Sequence, residues 1–417
     1  MKLLFYLWAV LIPLQNVVDK LDGPLKSIPG VNITNLAILG LLIYWMASTL
    51  AKGRPLLPRS RLNKVLGLYA LITYLGLWRA VAYVNAPAPL SPSDPSFVWW
   101  KDYMSAILLF FVVQAVIRNE RTMRVMTALM LLPLPYMIMV HRNHLQWGSS
   151  WHYDHDLRVS GTFMHLGSNE LAAFYVVSLL VALGLAIHMS GKWRLGALLA
   201  LSFLIWGVVN SYSRSTYVAA MAGAAFVGLL KNRRLFLVLI VFVVIAPFVL
   251  PVAVLERFGM IDSAQTTKDE STAKRMEVWD VAWRRFQENP ILGTGFRSFP
   301  KLNKYGMDTH NMYLKVLCEL GIMGFLLFIG MLVMALRQSW RLYGIATTPF
   351  LKGLSLGLMS ASISVMIINI MGDRSSYLAV TGHWWIWHGM AACAVRHIED
   401  GDTWTADGIE PAPARVL

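Results

Sequence analysis

Apolar residues in this chain fall into runs long enough to cross a bilayer, separated by short basic or longer polar connections. A transmembrane helix needs about 20 consecutive, mostly apolar residues. The hydrophobic pattern predicts twelve spans, at residues 3–19, 34–51, 64–84, 103–118, 123–140, 169–190, 195–211, 215–230, 235–254, 311–336, 351–371 and 382–397. The predicted fold class is therefore an all-α polytopic membrane protein.

The charge distribution agrees with this class. Hydrophobic residues make up 56% of the 417 positions and charged residues 14%. Lys and Arg cluster in alternate connections, near residues 52–64, 118–124, 192–194, 231–234 and 337–341. Because cytoplasmic connections are the ones enriched in these residues, we expect both termini in the cytoplasm. This topology accounts for the net charge of +14 and leaves no need for nucleic acid as a partner.

The pattern predicts one integral membrane domain at residues 1–398 and a short cytoplasmic tail at residues 399–417. The longer polar connections, at residues 85–102, 141–168 and 255–310, all belong to the outer face in this topology. Loops held by rigid helices are the usual place for chemistry. We therefore expect the functional site at the outer face. Both cysteines fall inside apolar segments, so no disulfide framework is indicated.

Polar motifs occur in order along these outer connections. They are RVSGTF at 158–163 with NELA at 169–172, NSYSRSTY at 210–217, RMEVW at 275–279, NPILGTGF at 289–296 and DTHNMYL at 308–314. Together they resemble the O-antigen ligase and O-antigen polymerase superfamily over roughly residues 150–330. The pair His310-Asn311, followed after nine residues by Gly321, is more similar to the ligases.

The resemblance implies a GT-C-type glycosyltransferase of the bacterial inner membrane, with its active site facing the periplasm. Members join a glycan carried on undecaprenyl pyrophosphate to an acceptor, which in the ligases is a sugar of the lipid A–core. The implied reaction inverts the anomeric carbon and needs neither a metal nor another cofactor, and the implied partners are this donor, this acceptor and membrane lipids. Three alternatives stay open: an O-antigen or exopolysaccharide polymerase, a protein O-glycosylation ligase and a transporter of lipid-linked saccharide.

His310 is the candidate general base. It follows Thr309, a plausible N-cap, and it is predicted to begin a helix that crosses the membrane. The positive end of a helix disfavours imidazolium, so the histidine would stay neutral and accept the proton of an acceptor hydroxyl. The free N–H groups of the same helix end would receive pyrophosphate oxygens. The alternative role is an interfacial histidine that caps the turn.

Arg214 is the first candidate for binding pyrophosphate. It lies in a tight turn between two predicted spans, among several residues with hydrogen-bonding side chains. A fixed guanidinium offers pyrophosphate two parallel hydrogen bonds. The alternative is snorkelling to lipid headgroups, which is common for an arginine at the end of a span.

Arg275 is the second candidate. It borders an apolar stripe of a predicted amphipathic helix that ends at Asn289-Pro290, and the stripe consists of Met276, Trp279, Trp283 and Phe286. A helix of this kind lies on the membrane and would direct Arg275 toward the lipid phosphates. The alternative, a solvated charged face, fits Arg284 and Arg285 better.

Five further residues are predicted to bind substrate. They are Arg79, Arg158, Tyr212, Asn311 and Tyr313. Arg79 is an arginine inside the third predicted span, which is a functional hypothesis by default. It could equally pair with a neighbouring carbonyl group.

The connection at residues 141–156 is rich in histidine and aspartate. Its four histidines and two aspartates imitate a metal site, but their spacing matches no firm ligand signature. No metal ligand is therefore predicted.

Overall fold

The computed structural model describes residues 2–23, 25, 32–51, 53, 56, 60–117, 119–145, 152–231, 233–258, 265–400, 403–404 and 409–410. Most of these residues are helical. The predicted tail at 399–417 and the predicted loop at 255–310 therefore lie partly outside the described residues.

The first half of the chain forms helices α1 to α7. Their bounds are α1 (Lys2–Leu11), α2 (Gln15–Leu21), α3 (Ile33–Leu50), α4 (Arg61–Val84), α5 (Pro95–Val116), α6 (Glu120–Leu131) and α7 (Leu134–His144). Helices α1 and α2 meet at 117°, next to Pro13, which cannot continue a helical hydrogen-bond ladder. The predicted span at residues 3–19 is therefore broken beside this proline, and its crossing of the membrane stays a prediction.

The second half forms helices α8 to α16 and a short hairpin. The helices are α8 (Ser168–His188), α9 (Gly191–Val209), α10 (Arg214–Lys231), α11 (Arg233–Val249), α12 (Val252–Phe258), α13 (Gln265–Glu288), α14 (Met312–Ile345), α15 (Pro349–Ile368) and α16 (Leu378–Glu399). The strands β1 (Thr403–Trp404) and β2 (Ile409–Glu410) pair antiparallel.

The membrane class of the fold follows from helix length and apolar character. Among the described residues, eight segments are long and apolar enough to cross a membrane, with α6 and α7 counted as one, and the bent pair α1–α2 would make nine. The predicted class, an all-helical multi-pass membrane protein, is confirmed. The number of spans, twelve, stays a prediction.

Helix α8 lies at the centre of the bundle, packed against α9, α10, α15 and α16. Its closest neighbour is α15, where glycines let the two backbones touch. A Cβ added to Gly184 would lie 2.4 Å from the carbonyl oxygen of Gly353. Small residues at such a crossing replace the hydrophobic driving force that is absent between helices in lipid. The C-terminal half of α8 is therefore held firmly in the bundle.

Helix α14 is interrupted two and a half turns from its start. Gly321 has φ 65° and ψ −166°, a region that only glycine populates. The loop between α13 and α14 fills the break: the Ile322 N–H donates to the Pro290 carbonyl at 2.8 Å, and the Gly295 N–H donates to the Glu319 carbonyl at 2.8 Å. The predicted span at residues 311–336 lies within α14, which is long and apolar enough to cross a membrane, and the kink at Gly321 was not predicted.

Substituting Gly321 tests the importance of this junction. A Cβ there would lie 2.3 Å from the Ile291 carbonyl oxygen, so Gly321→Ala is expected to destabilise the fold by about 2–4 kcal/mol through backbone strain and overpacking. The matched control is Gly344→Ala in the same helix, where an added Cβ meets nothing within 4 Å. Thermal unfolding in detergent measures both. Equal melting temperatures for the two variants would contradict the inserted-loop arrangement.

Candidate active site

Three arginines that are distant in sequence meet at one end of the bundle. Arg158 precedes α8, Arg214 begins α10 and Arg275 lies in α13. Arg275 is half-buried, and burial together with the charges of Arg158 and Arg214 lowers its pKa. An influence of these two charges on Arg275 requires that they lie near it. The three arginines predicted from separate motifs therefore share one site.

A fourth arginine of this cluster, Arg257 in α12, was missed in the sequence. Its Nε donates to the carbonyl of Tyr212 at 3.3 Å, and its guanidinium lies 4.8 Å from the centre of the Tyr153 ring. Burial and then the charges of the other three arginines lower the pKa of Arg257 to about 10. It therefore stays charged near neutral pH. In the sequence it looks like an ordinary cation at the end of a hydrophobic run, so no motif points to it.

The amide of Asn169 fixes the geometry of this arginine cluster. Its Oδ1 accepts hydrogen bonds from the Arg158 guanidinium at 2.7 Å and from the Ser213 hydroxyl at 2.8 Å. One side chain at the start of α8 thus joins the 158–163 motif to the α9–α10 turn. The Nε of Arg158 is buried and has no hydrogen-bond partner among the described residues. A cluster of four guanidinium groups, one of which has an unused N–H donor, is suited to binding a polyanion.

Arg257→Gln tests whether the cluster binds phosphate as a unit. Removing one charged donor is expected to weaken binding of inorganic pyrophosphate by about 10–100-fold. The melting temperature is measured as a function of pyrophosphate concentration. Chloride at equal ionic strength is the reference. Arg284→Gln is the control, because Arg284 is exposed and pairs with Asp280 at 2.8 Å. An unchanged concentration dependence for Arg257→Gln would exclude Arg257 from the anion site.

His310 lies just outside α14, and not in its first turn. The N-cap is Asn311, whose Oδ1 accepts from the N–H groups of Tyr313 at 3.0 Å and Leu314 at 3.1 Å. The expectation that Thr309 caps a helix beginning at His310 is therefore wrong. Both residues suit a cap, and the chain uses the second because His310 adopts a left-handed conformation, with φ 51°.

The N–H groups at the start of α14 are already used. Besides the two that Asn311 binds, the Met312 N–H donates to the carbonyls of Asn369 at 2.8 Å and Gly372 at 3.1 Å. The prediction that this helix end offers free N–H groups to pyrophosphate is therefore wrong. The arginine cluster is the remaining candidate for the phosphates.

Hydrogen bonds tie the His310 segment to the arginine cluster. The Trp279 indole, one helical turn after Arg275 in α13, donates to the carbonyl of Thr309 at 2.8 Å. Residues four apart on a helix share one face. The histidine segment is therefore held beside the face of α13 that presents Arg275.

A buried ion pair borders the site on its other side. Arg374, in the short segment after α15, pairs with Glu170 of α8, and burial followed by the charge of Arg158 lowers the pKa of Arg374 to about 10, against the opposing effect of Tyr377. Because Gly372 also accepts from the start of α14, this segment connects the arginine cluster with the His310 region.

Asp308 is an acidic neighbour of His310 that the sequence did not single out. Its carboxylate pairs with Lys315 at 2.5 Å. Burial acts to raise the pKa of Asp308, but the Lys315 ammonium, its hydrogen bonds and the nearby His310 together hold that pKa below its ordinary value. Asp308 is thus an anion at neutral pH, two residues from His310 in the chain.

The other residues predicted to bind substrate are engaged with, or buried in, the protein itself. Arg79 donates to the Gly293 carbonyl at 3.2 Å and to Asn289 at 2.9 Å, which is the carbonyl pairing given above as its alternative. The Tyr313 hydroxyl donates to the carbonyl of Met366 at 2.7 Å. Tyr212 is 5% exposed. Asn311, as the N-cap, likewise supports the backbone.

Helix α13 packs differently from its predicted stripe. Val278 and Ala282 are the residues buried against the rest of the protein, beside Phe299. Met276 and Trp283 of the predicted stripe are exposed, at 62% and 46%. The helix and its end before Pro290 are confirmed. The exposure of these two residues fits a stripe that faces lipid, and the placement of the helix on the membrane stays a prediction.

The histidines of the connection at residues 141–156 contact different parts of the protein. His141 is buried and stacks on Tyr175, while the His152 Nδ1 lies 2.7 Å from Glu256. The side chain of His155 lies outside the described residues. Over the part of the chain that the structure describes, no three His, Cys, Asp or Glu side chains are grouped as metal ligands.

An apolar groove of about 510 Å³ opens at the opposite end of the bundle, near the C-terminus of α8 and the N-terminus of α9. Its lining is mostly apolar, with Arg124 and Lys192 as its charged residues, and it contains none of the predicted site residues.

Comparisons with known proteins indicate the class of protein. A family model described as O-antigen ligase matches residues 199–329, a stretch that contains Arg214, Arg275 and His310. The chain is also 26% identical over 266 residues to an O-antigen ligase of Pseudomonas aeruginosa. That alignment covers 60% of this chain and 62% of the relative, so it spans less than two thirds of the relative's length. The predicted resemblance to the O-antigen ligase and polymerase superfamily is confirmed.

Proposed function

We propose that this protein is an O-antigen ligase. It transfers a glycan from undecaprenyl pyrophosphate to a hydroxyl group of a lipid A–core sugar, at the periplasmic face of the inner membrane. The observation that carries the proposal is the meeting of Arg158, Arg214, Arg257 and Arg275 at one end of a membrane bundle, beside a segment that holds His310.

The arginines bind the pyrophosphate and His310 receives the proton. The acceptor oxygen forms a bond to the anomeric carbon while the bond from that carbon to the pyrophosphate oxygen breaks. The electron pair leaves with undecaprenyl pyrophosphate, whose developing charge the guanidinium groups stabilise. The hydroxyl proton passes to His310 as general base. A single displacement of this kind inverts the anomeric configuration.

Reconstitution with a defined donor tests the proposal. The purified protein in nanodiscs receives a fluorescent glycan on undecaprenyl pyrophosphate, together with either lipid A–core or a second lipid-linked glycan. We expect transfer to lipid A–core. Transfer to the lipid-linked glycan alone would make the protein a polymerase, and transfer only to a protein acceptor would make it a protein O-glycosylation ligase.

The broken α14 also bears on the transporter alternative. Transporters commonly bind substrate at a break in a helix near the middle of the membrane. Here the loop at residues 290–296 fills the break and takes its backbone hydrogen bonds, including Thr294 N–H to the Cys318 carbonyl at 3.0 Å. The break is therefore sealed by the protein itself, which favours an enzyme with its polar groups at one end.

The proposed orientation has its own test. After both native cysteines are replaced, a single cysteine is introduced in place of Lys304 or of Lys192. Lys304 is exposed near the arginine end, and Lys192 is exposed at the opposite end. A membrane-impermeant maleimide added to spheroplasts is expected to label position 304 only. Labelling of position 192 alone would place the arginine end in the cytoplasm and end the periplasmic proposal.

A further inference from the structure

A cavity of about 230 Å³ lies beside the His310 segment and is separate from the arginine cluster. Asp308 and Met312 both line it, and they flank His310 two residues away on each side. The cavity follows α14 from Met312 to Leu320, which at 1.5 Å per residue is about 12 Å of helix. It is a pocket that begins beside the His310 segment, at Asp308 and Met312, and extends along α14 into the bundle.

Aromatic rings form much of the wall. Trp99, Tyr103 and Phe296 line the cavity, and Trp99 is 41% exposed at its mouth. The exposed Arg297 guanidinium lies 3.6 Å from the centre of a Trp99 ring, which holds the indole in place. An aromatic ring fixed at the entrance of a polar pocket offers a flat apolar face to the C–H side of a ligand that also carries hydroxyl groups.

Carboxylates outnumber cations in the same cavity. Its acidic residues are Asp102, Asp308, Glu319 and Asp373, and its basic residues are Arg297 and Lys315. Lys315 is shared between two of the acids, at 2.5 Å from Asp308 and 3.2 Å from Asp373. Asp102 pairs with Lys101 at 3.2 Å outside the lining, so four carboxylates face three cations in and beside the cavity. Carboxylate oxygens accept hydrogen bonds from hydroxyl groups, whereas a second anion brought among them is repelled.

We infer that this cavity binds the acceptor sugar and selects an uncharged one. Resting on the proposed function, this inference names its acceptor class: a neutral sugar residue whose ring lies against Trp99 and whose hydroxyl is presented to His310. The donor and the acceptor are thus bound at different places because they differ in charge. The donor pyrophosphate goes to the arginine cluster, and uronic acids or phosphorylated sugars are excluded from the acidic cavity.

Direct sugar binding without donor tests the inference. Saturation-transfer NMR on the full-length protein in nanodiscs compares methyl β-glucopyranoside with methyl β-glucuronide. Only binding that depends on Trp99 counts, because the glucuronide carboxylate can also contact the arginine cluster. We expect the neutral glycoside to bind, and Trp99→Ala to weaken it by about 2–12-fold, the equivalent of losing one aromatic contact. No Trp99-dependent binding of the glucuronide is expected.

Charge reversal at the rim gives the sharper comparison. Asp102 has a 57% exposed side chain in the cavity mouth, so Asp102→Lys is expected to fold and to admit the glucuronide. Asp280→Lys is the matched control, because Asp280 is 64% exposed on α13 and is not part of the cavity lining. Thermal unfolding confirms that both variants are folded.

The outcomes separate this inference from the proposed function. Equal affinity for the two glycosides, no effect of Trp99→Ala, or the same result for both charge reversals would overturn the neutral-sugar cavity, even if transfer to lipid A–core occurs. Selective binding with no transfer under any condition would overturn the ligase proposal and leave the cavity standing.

Discussion

Replacing His310 with asparagine is expected to lower the transfer rate by about 10²–10⁴-fold, the loss typical of removing a general base. This is roughly 3–5 kcal/mol of activation free energy. Asparagine is the informative substitution because it tolerates the left-handed backbone that His310 adopts, with φ 51°. The measurement is turnover of the fluorescent donor at saturating acceptor.

Stability and donor affinity distinguish the chemical role of His310 from a structural one. Because Asn311, and not His310, caps α14, the variant should unfold within about 1 kcal/mol of the wild-type protein. His165→Asn is the control, since His165 is an exposed histidine that pairs with Asp19 at the same end of the bundle. Retained turnover in the His310 variant, or loss of turnover that only follows unfolding, would return His310 to a structural role.

Arg214→Lys is expected to lower kcat/KM by about 10–100-fold although it keeps the positive charge. An ammonium group cannot form the two parallel hydrogen bonds that a guanidinium makes with a phosphate, and losing one charge-assisted hydrogen bond costs about 1.5–3 kcal/mol. Arg214 is exposed at the start of α10, so the substitution should leave the fold intact.

The same substitution at a surface arginine provides the comparison. Arg284→Lys changes a residue that pairs with Asp280 on the outside of α13, and it should keep wild-type activity. Full activity in both Arg214→Lys and Arg275→Ala, at normal protein levels, would mean that other groups bind the phosphates.

The sequence predicted the membrane class and the central residues because both have local signatures. Apolar runs of about 20 residues define membrane helices without reference to tertiary structure. Arg214 and Arg275 were identified from short polar motifs at the ends of such runs, and the structure brings them together. A glycine in an apolar run does not by itself indicate a break in the helix. The break at Gly321 depends on the loop that is inserted there, which the local sequence does not predict.

Residues that depend on distant partners could not be predicted. Arg257 joins the cluster only because α12 brings it against the Tyr212 carbonyl. Lys315 and Asp373 form their ion pair across 58 positions. The first N–H group of α14 bonds to the carbonyls of Asn369 and Gly372, which lie far along the chain. Each of these contacts is set by helix packing, which a local pattern does not record.

The central claim is that the arginine end of this bundle catalyses glycan transfer and does not move the donor across the membrane. The most direct measurement counts products in proteoliposomes that contain fluorescent donor and lipid A–core. We predict one free undecaprenyl pyrophosphate for each glycan attached to lipid A–core, with both products lost in the His310→Asn protein. Movement of intact donor between leaflets with no release of undecaprenyl pyrophosphate would contradict the account.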